Sequence, residues 1–261
     1  MLLFDILLVA HIVTGTIGLV SLWGPVVTRK GNWLHKLWGR IFVYSMLTTG
    51  SFAVGMSLCS LGAPLETHPF SNDVPLIRGL FGWMMLYLGV LTIALAWHSF
   101  VTVRNKGDHQ ANKTIANYAL QGFMGVTGLY CAVRGIQLDQ VIMVGVAIPG
   151  LAAAMLNINF LNQRQPIADE WLVQHFRAGI GAGISVYTAF LAFGAVNWFP
   201  ALAFNSILWA IPTVCGVAYM IHHQWKVFKQ RHRSGRDSET LSGQLLGPLL
   251  TASPQRKDHS S

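Results

Sequence analysis

Long uncharged runs alternate along the chain with short polar gaps, and the runs have a common length. Seven are read: Ile6–Val27, Ile41–Leu61, Leu80–Val103, Thr114–Val133, Val141–Leu161, Ala178–Val196 and Ala203–Trp225. A bilayer core about 30 Å thick takes roughly 20 residues of helix, so each run predicts one membrane-crossing helix. Small residues recur at helical spacing inside the runs, as in His11, Gly15 and Gly18, Gln121, Gly125 and Gly128, and His175, Gly179 and Gly183. In lipid such stripes let helices approach closely. Pro149-Gly150 and Pro212 are expected to bend the fifth and seventh helices, with neighbours satisfying the freed carbonyls.

Charge gives the runs a direction. Of the eighteen Lys and Arg residues, only Arg78 and Arg134 fall in the gaps after runs two, four and six. The others lie in the alternate gaps and the C-terminal tail. The positive-inside rule then puts the N-terminus outside and the C-terminus in the cytoplasm. The expected fold is all-α and polytopic, a seven-helix transmembrane domain over residues 1–225. A cytoplasmic tail follows over 226–261, basic at first and disordered from Ser234 to Ser261. Met1–Asp5 lacks the positive leader of a cleaved signal peptide, so the first run is expected to remain as a helix.

Composition supports this class, since 52% apolar and 11% charged residues do not describe an ordinary soluble domain. The net charge of +8 does not point to nucleic acid, because the basic residues border apolar runs. A cytoplasmic lipid surface explains them. The loop Arg29–Arg40, with Trp33 and Trp38 among its basic residues, suits the headgroup layer. Cys59, Cys131 and Cys215 show no metal-type spacing. The outer-end positions of Cys59 and Cys131 allow a disulfide, while a pair of buried thiols is the expectation.

No Asp or Glu falls inside a run, which removes the carboxylate relay of ion-driven pumps. The ionisable groups left at depth are histidines. His98 lies about 7 Å from the inner end of its helix at ~1.5 Å per residue. His222 and His223 lie near the inner end of the seventh helix, and His175 opens the sixth. Three helices therefore bring four imidazoles to one cytoplasmic-side layer. His11 stands apart in the outer half of the first helix, and His35 belongs to the inner loop.

Three readings remain open on these residues. Two histidines from facing helices can hold a b-type haem or another redox site, with Arg40, Arg104 or Arg177 pairing the propionates and quinone or another membrane protein as partner. Three of His98, His175, His222 and His223 can bind zinc, with Asp169 or Glu170 as base, giving a membrane hydrolase. At most one of the adjacent His222 and His223 can join a given site, since helix neighbours point about 100° apart. The third reading is a non-enzymatic accessory or scaffold protein whose Arg29–Arg40 loop contacts lipid or a partner.

His11 with Gly15, Lys30-Gly31 and His35-Lys36-Leu37-Trp38-Gly39-Arg40 resemble the opening of a bacterial family of predicted integral membrane proteins, defined by a domain of unknown function. Trp171-Leu172, His175, Tyr187-Thr188-Ala189-Phe190 and Pro212-Thr213 resemble its later motifs. The resemblance covers about Ile6 to Trp225. It implies a multi-helix membrane fold in a bacterial inner membrane, and it implies no activity.

Overall fold

The computed structural model describes residues 2–194 and 210–226. The last two residues of the sixth expected span, the first part of the seventh and the tail beyond residue 226, expected to be disordered from Ser234, lie outside them. The chain divides into two compact units, Met1–Val217 and Ala218–Ser261. Most of the described residues are helical, and no strand occurs among them. The order is α1 (Leu2–Ser21), α2 (Trp23–Val27), α3 (Trp33–Gly62), α4 (Pro64–Thr67), α5 (Val74–Ile77), a π-helical stretch (Arg78–Met84), α6 (Met85–Asn105), α7 (Ile115–Gln137), α8 (Val141–Asn162) and α9 (Glu170–Ala189). Residues 210–226 are also helical.

Among the described residues, four continuous spans are long and apolar enough to cross a membrane: Leu2–Val27, Trp33–Gly62, Val74–Asn105 and Val141–Asn162. The expected spans in α7 and α9 are helical but more polar. Asn117, Gln121 and Gln137 interrupt α7, and Glu170, Gln174, His175 and Arg177 open α9. Outward-facing residues stay apolar, among them Val9, Val20, Val126 and Met155, each more than 60% exposed. Water would penalise that much exposed hydrocarbon, whereas lipid does not.

One expectation is corrected at the inner end. Arg29–Arg40 is not a loop throughout, because α3 already begins at Trp33. The Asn32 side-chain oxygen accepts from the His35 backbone N–H at 2.8 Å, a standard N-cap. Gly31 makes the preceding turn with φ +79°, the left-handed region that favours glycine. His35, Trp38 and Arg40 therefore ride on a helix.

Packing is organised around α6, which meets α3 on one side and α7 and α9 on others, while α1 lies on α3 and α8 on α7. The α3–α6 crossing is close enough that a Cβ on Gly50 would stand 2.9 Å from the Gly89 carbonyl oxygen. A Cβ on Gly89 would stand 3.0 Å from the Gly50 oxygen. Tyr87, fully buried, crosses from α6 to α8 and donates to the Val146 and Ala147 carbonyls at 3.1 and 3.4 Å. These carbonyls lie just before Pro149, whose missing N–H breaks the helix ladder. The α9 stripe is used in full: Gly179 faces Ser99 and Gly183 faces Leu22. Tyr187, one turn further, accepts from Trp23 Nε1 at 2.6 Å and donates to Leu19 O at 3.1 Å.

The connection from α3 to α6 closes on a ring cluster. His68 stacks on Phe81 at 4.0 Å and meets Phe4 and Phe70 edge-on at 5.5 Å each, and its burial lowers the imidazole below its ordinary value. Cys59, Cys131 and Cys215 are free thiols, and Cys131 Sγ approaches Met143 O at 3.6 Å.

Candidate histidine site

A neutral imidazole carries one N–H and one bare nitrogen, and the partner of the first decides which is which. A backbone carbonyl can only accept, so a ring nitrogen facing one must hold the proton. His11 Nδ1 faces Thr49 O at 3.0 Å, His35 Nδ1 faces Pro25 O at 3.2 Å, and His175 Nδ1 faces Ser99 O at 2.9 Å. Ser99 Oγ spends its own proton on His175 O at 2.9 Å, so it offers His175 Nδ1 none. In all three rings Nδ1 is the donor, and Nε2 is the bare nitrogen of the neutral form. That arrangement, with Nδ1–H tied to a carbonyl, is the one that orients histidine ligands of metals.

The charged and titratable groups acting on His175 are His35 and Lys30, and Lys30 acts on His35 as well. Lys30 is held in place by Nζ donation to Pro25 O at 2.5 Å and Val26 O at 3.2 Å, and burial lowers its ammonium from the ordinary value. The short helix α2 thus anchors both His35 and Lys30 through consecutive carbonyls, while α6 anchors His175 from the other side. His11 is placed elsewhere, in a polar contact of α1 with α3 that continues from Thr49 Oγ1 to Thr14 Oγ1 at 2.9 Å. Arg40 is exposed on α3.

His98 occupies a different environment. It is fully buried on α6, with Phe160 edge-on at 5.9 Å and Asn117 Oδ1 3.5 Å from Nδ1. Around it runs a polar layer drawn from α7, α8 and α9. Asn157 Nδ2 donates to Gln121 Oε1 at 2.9 Å, and Arg177 Nη2 donates to Asn157 Oδ1 at 3.3 Å and Gln174 Oε1 at 2.6 Å. Gln174 Nε2 in turn donates to Glu170 Oε1 at 3.0 Å. The sequence reading named Gln121 only as part of a packing stripe and missed Asn157 and Gln174. Their signal was available, since an amide inside an apolar helix must find a partner on another helix.

Nearby, His109 Nε2 and Lys113 Nζ share the Gln163 carbonyl at 3.0 and 2.8 Å, clipping the inner α6–α7 connection to the end of α8. Burial holds the His109 imidazole below its ordinary value, against the pull of that carbonyl.

His222 and His223 belong to the second unit, where the rings of Tyr219 and His223 stand 6.4 Å apart. Among the described residues no three His, Cys, Asp or Glu side chains converge as a metal ion requires. Comparison with family models, curated proteins and solved structures gives no match.

Proposed function

We propose that this chain is a seven-span protein of the bacterial inner membrane, N-terminus outside and C-terminus in the cytoplasm, that carries a b-type haem on His35 and His175 and transfers electrons near the cytoplasmic face. One observation carries the reading. Both rings are fixed through Nδ1–H to backbone carbonyls, so each presents the bare Nε2 that haem iron takes. Lys30, whose charge acts on both rings, suits a propionate carboxylate. Bound haem supplies one-electron chemistry. The chain supplies two oriented ligands and a cation, on elements locked together by α2. The membrane setting is supported by the four apolar spans, the hydrocarbon on their outer faces and the one-sided Lys and Arg.

The test is an absorption spectrum of protein purified in mild detergent from a haem-supplied host, before and after dithionite. The expected result is a Soret band that shifts and sharpens on reduction. It is lost in His35→Ala and His175→Ala and retained in the double variant His222→Ala with His223→Ala. A featureless wild-type spectrum overturns the haem reading and leaves the accessory-protein reading in its place. For the orientation, a reporter fused after Ser261 is expected to be active only in the cytoplasm; activity outside the cell reverses the topology.

A further inference from the structure

The haem pair makes no use of Arg40 or Arg104, yet the packing of α3 on α6 brings the two to one level. The helices run antiparallel. A Cβ on Gly89 would stand 3.0 Å from Val54 Cγ2, a Cβ on Gly50 would stand 2.7 Å from Ile93 Cγ1, and the Tyr44 and Phe100 rings are 6.3 Å apart. One turn further along this face, four residues before Tyr44 and four after Phe100, stand Arg40 and Arg104. They are therefore opposite one another where α3 begins and α6 ends, about 6 Å beyond the ring contact at ~1.5 Å per residue. Lys36 lies one turn beyond Arg40 on the same side of α3.

Arg40, Arg104 and Lys36 are all exposed, and neither helix contains an Asp or Glu. The acid nearest in sequence, Asp108, is turned into its own loop, where its carboxylate accepts from the Ala111 N–H at 3.2 Å. Neither guanidinium has a hydrogen bond or ion pair among the described residues. Like charges repel, so the fold gathers cations here without a counter-charge of its own. On the other side of this level the surface turns aromatic. Tyr44 is exposed, and Phe100 and Trp97 are half-buried with their rings 6.3 Å apart. A cationic level followed by an aromatic and apolar one matches a phospholipid, head group first and chains after.

We propose that Arg40 and Arg104, with Lys36 beyond them, bind the phosphate of a phospholipid of net negative charge whose acyl chain lies over Tyr44, Phe100 and Trp97. A guanidinium suits a phosphate diester because its N–H groups can pair with two oxygens at once. A zwitterionic lipid brings an ammonium that the third cation repels, and free phosphate has no chain for the rings. The site rests on the membrane reading and not on the haem.

The experiment titrates the full chain in mild detergent with dioctanoyl phosphatidylglycerol by calorimetry, and with dioctanoyl phosphatidylcholine in parallel. The anionic lipid is expected to bind at least about tenfold more tightly. Arg40→Gln and Arg104→Gln should each weaken its binding about fivefold. Arg29→Gln and Lys106→Gln each remove one exposed charge at the same end and should change it less than about twofold. The proposal is overturned if the two lipids bind equally, or if either control substitution costs as much as Arg40→Gln. It is also overturned if inorganic phosphate competes as strongly as the lipid. Carbonate-washed membranes of the same host are assayed for the chain. A chain released into solution rejects the membrane reading together with this site, whereas a retained chain without lipid preference rejects the site alone.

Discussion

Gly89→Val is expected to be the most damaging single substitution in the first unit, lowering stability by about 3 kcal/mol and sharply reducing the amount of folded protein recovered in detergent. The cause is the α3–α6 crossing. A Cβ at position 89 meets the Gly50 carbonyl oxygen at 3.0 Å, the Val54 backbone nitrogen at 3.2 Å and Val54 Cγ2 at 3.0 Å. Two of these are main-chain atoms of a long helix, so no rotamer change relieves the contact. Alanine should cost less and valine more, because the second carbon layer has nowhere to go between buried neighbours. Thermal unfolding in detergent, followed by circular dichroism, reads the effect. Gly122→Ala and Gly145→Ala are the controls, since an added Cβ meets nothing within 4 Å at either site. A Gly89→Val protein as stable as these controls would refute the tight crossing.

The second large effect is a coupling. A Cβ on Gly150 would run into the Tyr87 hydroxyl oxygen and stand 2.9 Å from Cζ. The ring is wholly buried and its hydroxyl is committed to α8, so it cannot swing aside. Gly150→Ala alone is expected to cost about 2–3 kcal/mol by overpacking. Tyr87→Phe alone is expected to cost about 1–2 kcal/mol, from loss of the hydroxyl's bonds to the Val146 and Ala147 carbonyls of α8. Together they should cost about 1–2 kcal/mol less than the two added, because the phenylalanine gives up the space the new methyl needs. Unfolding of the four proteins under one set of conditions closes the cycle. Strict additivity would mean that the two residues do not meet.

The same two contacts show what sequence can and cannot carry. The spans through α1, α3, α6 and α8 are legible because their apolar runs match the bilayer, and the glycine stripes are legible as packing faces. Which glycines bear the closest approach is not, since Gly50 and Gly89 become partners only when two helices cross. The start of α3 was misread because Arg29, Lys30, Lys36 and Arg40 resemble a solvated loop. Asn32 three residues before His35 was the overlooked cap. The shared inner position of His98 and His175 follows from counting residues. The proposed pairing of His175 with His35 does not follow, because His35 was assigned to that loop. Nor could the bare nitrogens be seen in advance, since each is set by a carbonyl distant in sequence: Ser99 for His175 and Thr49 for His11.

The length of α3 has a mechanical consequence. Its 30 residues span about 45 Å at ~1.5 Å per residue, well beyond a hydrocarbon core of about 30 Å. Pinned against α6 at Gly50, the helix acts as a lever whose inner arm, from Gly50 to His35, is about 22 Å long. A rocking of only about 5° at the pivot swings the His35 end by about 2 Å, roughly the length of one iron–nitrogen bond. In the haem reading, the spacing of the two proposed imidazole ligands would therefore be governed from the α3–α6 crossing, where two glycines fix the angle of the rod.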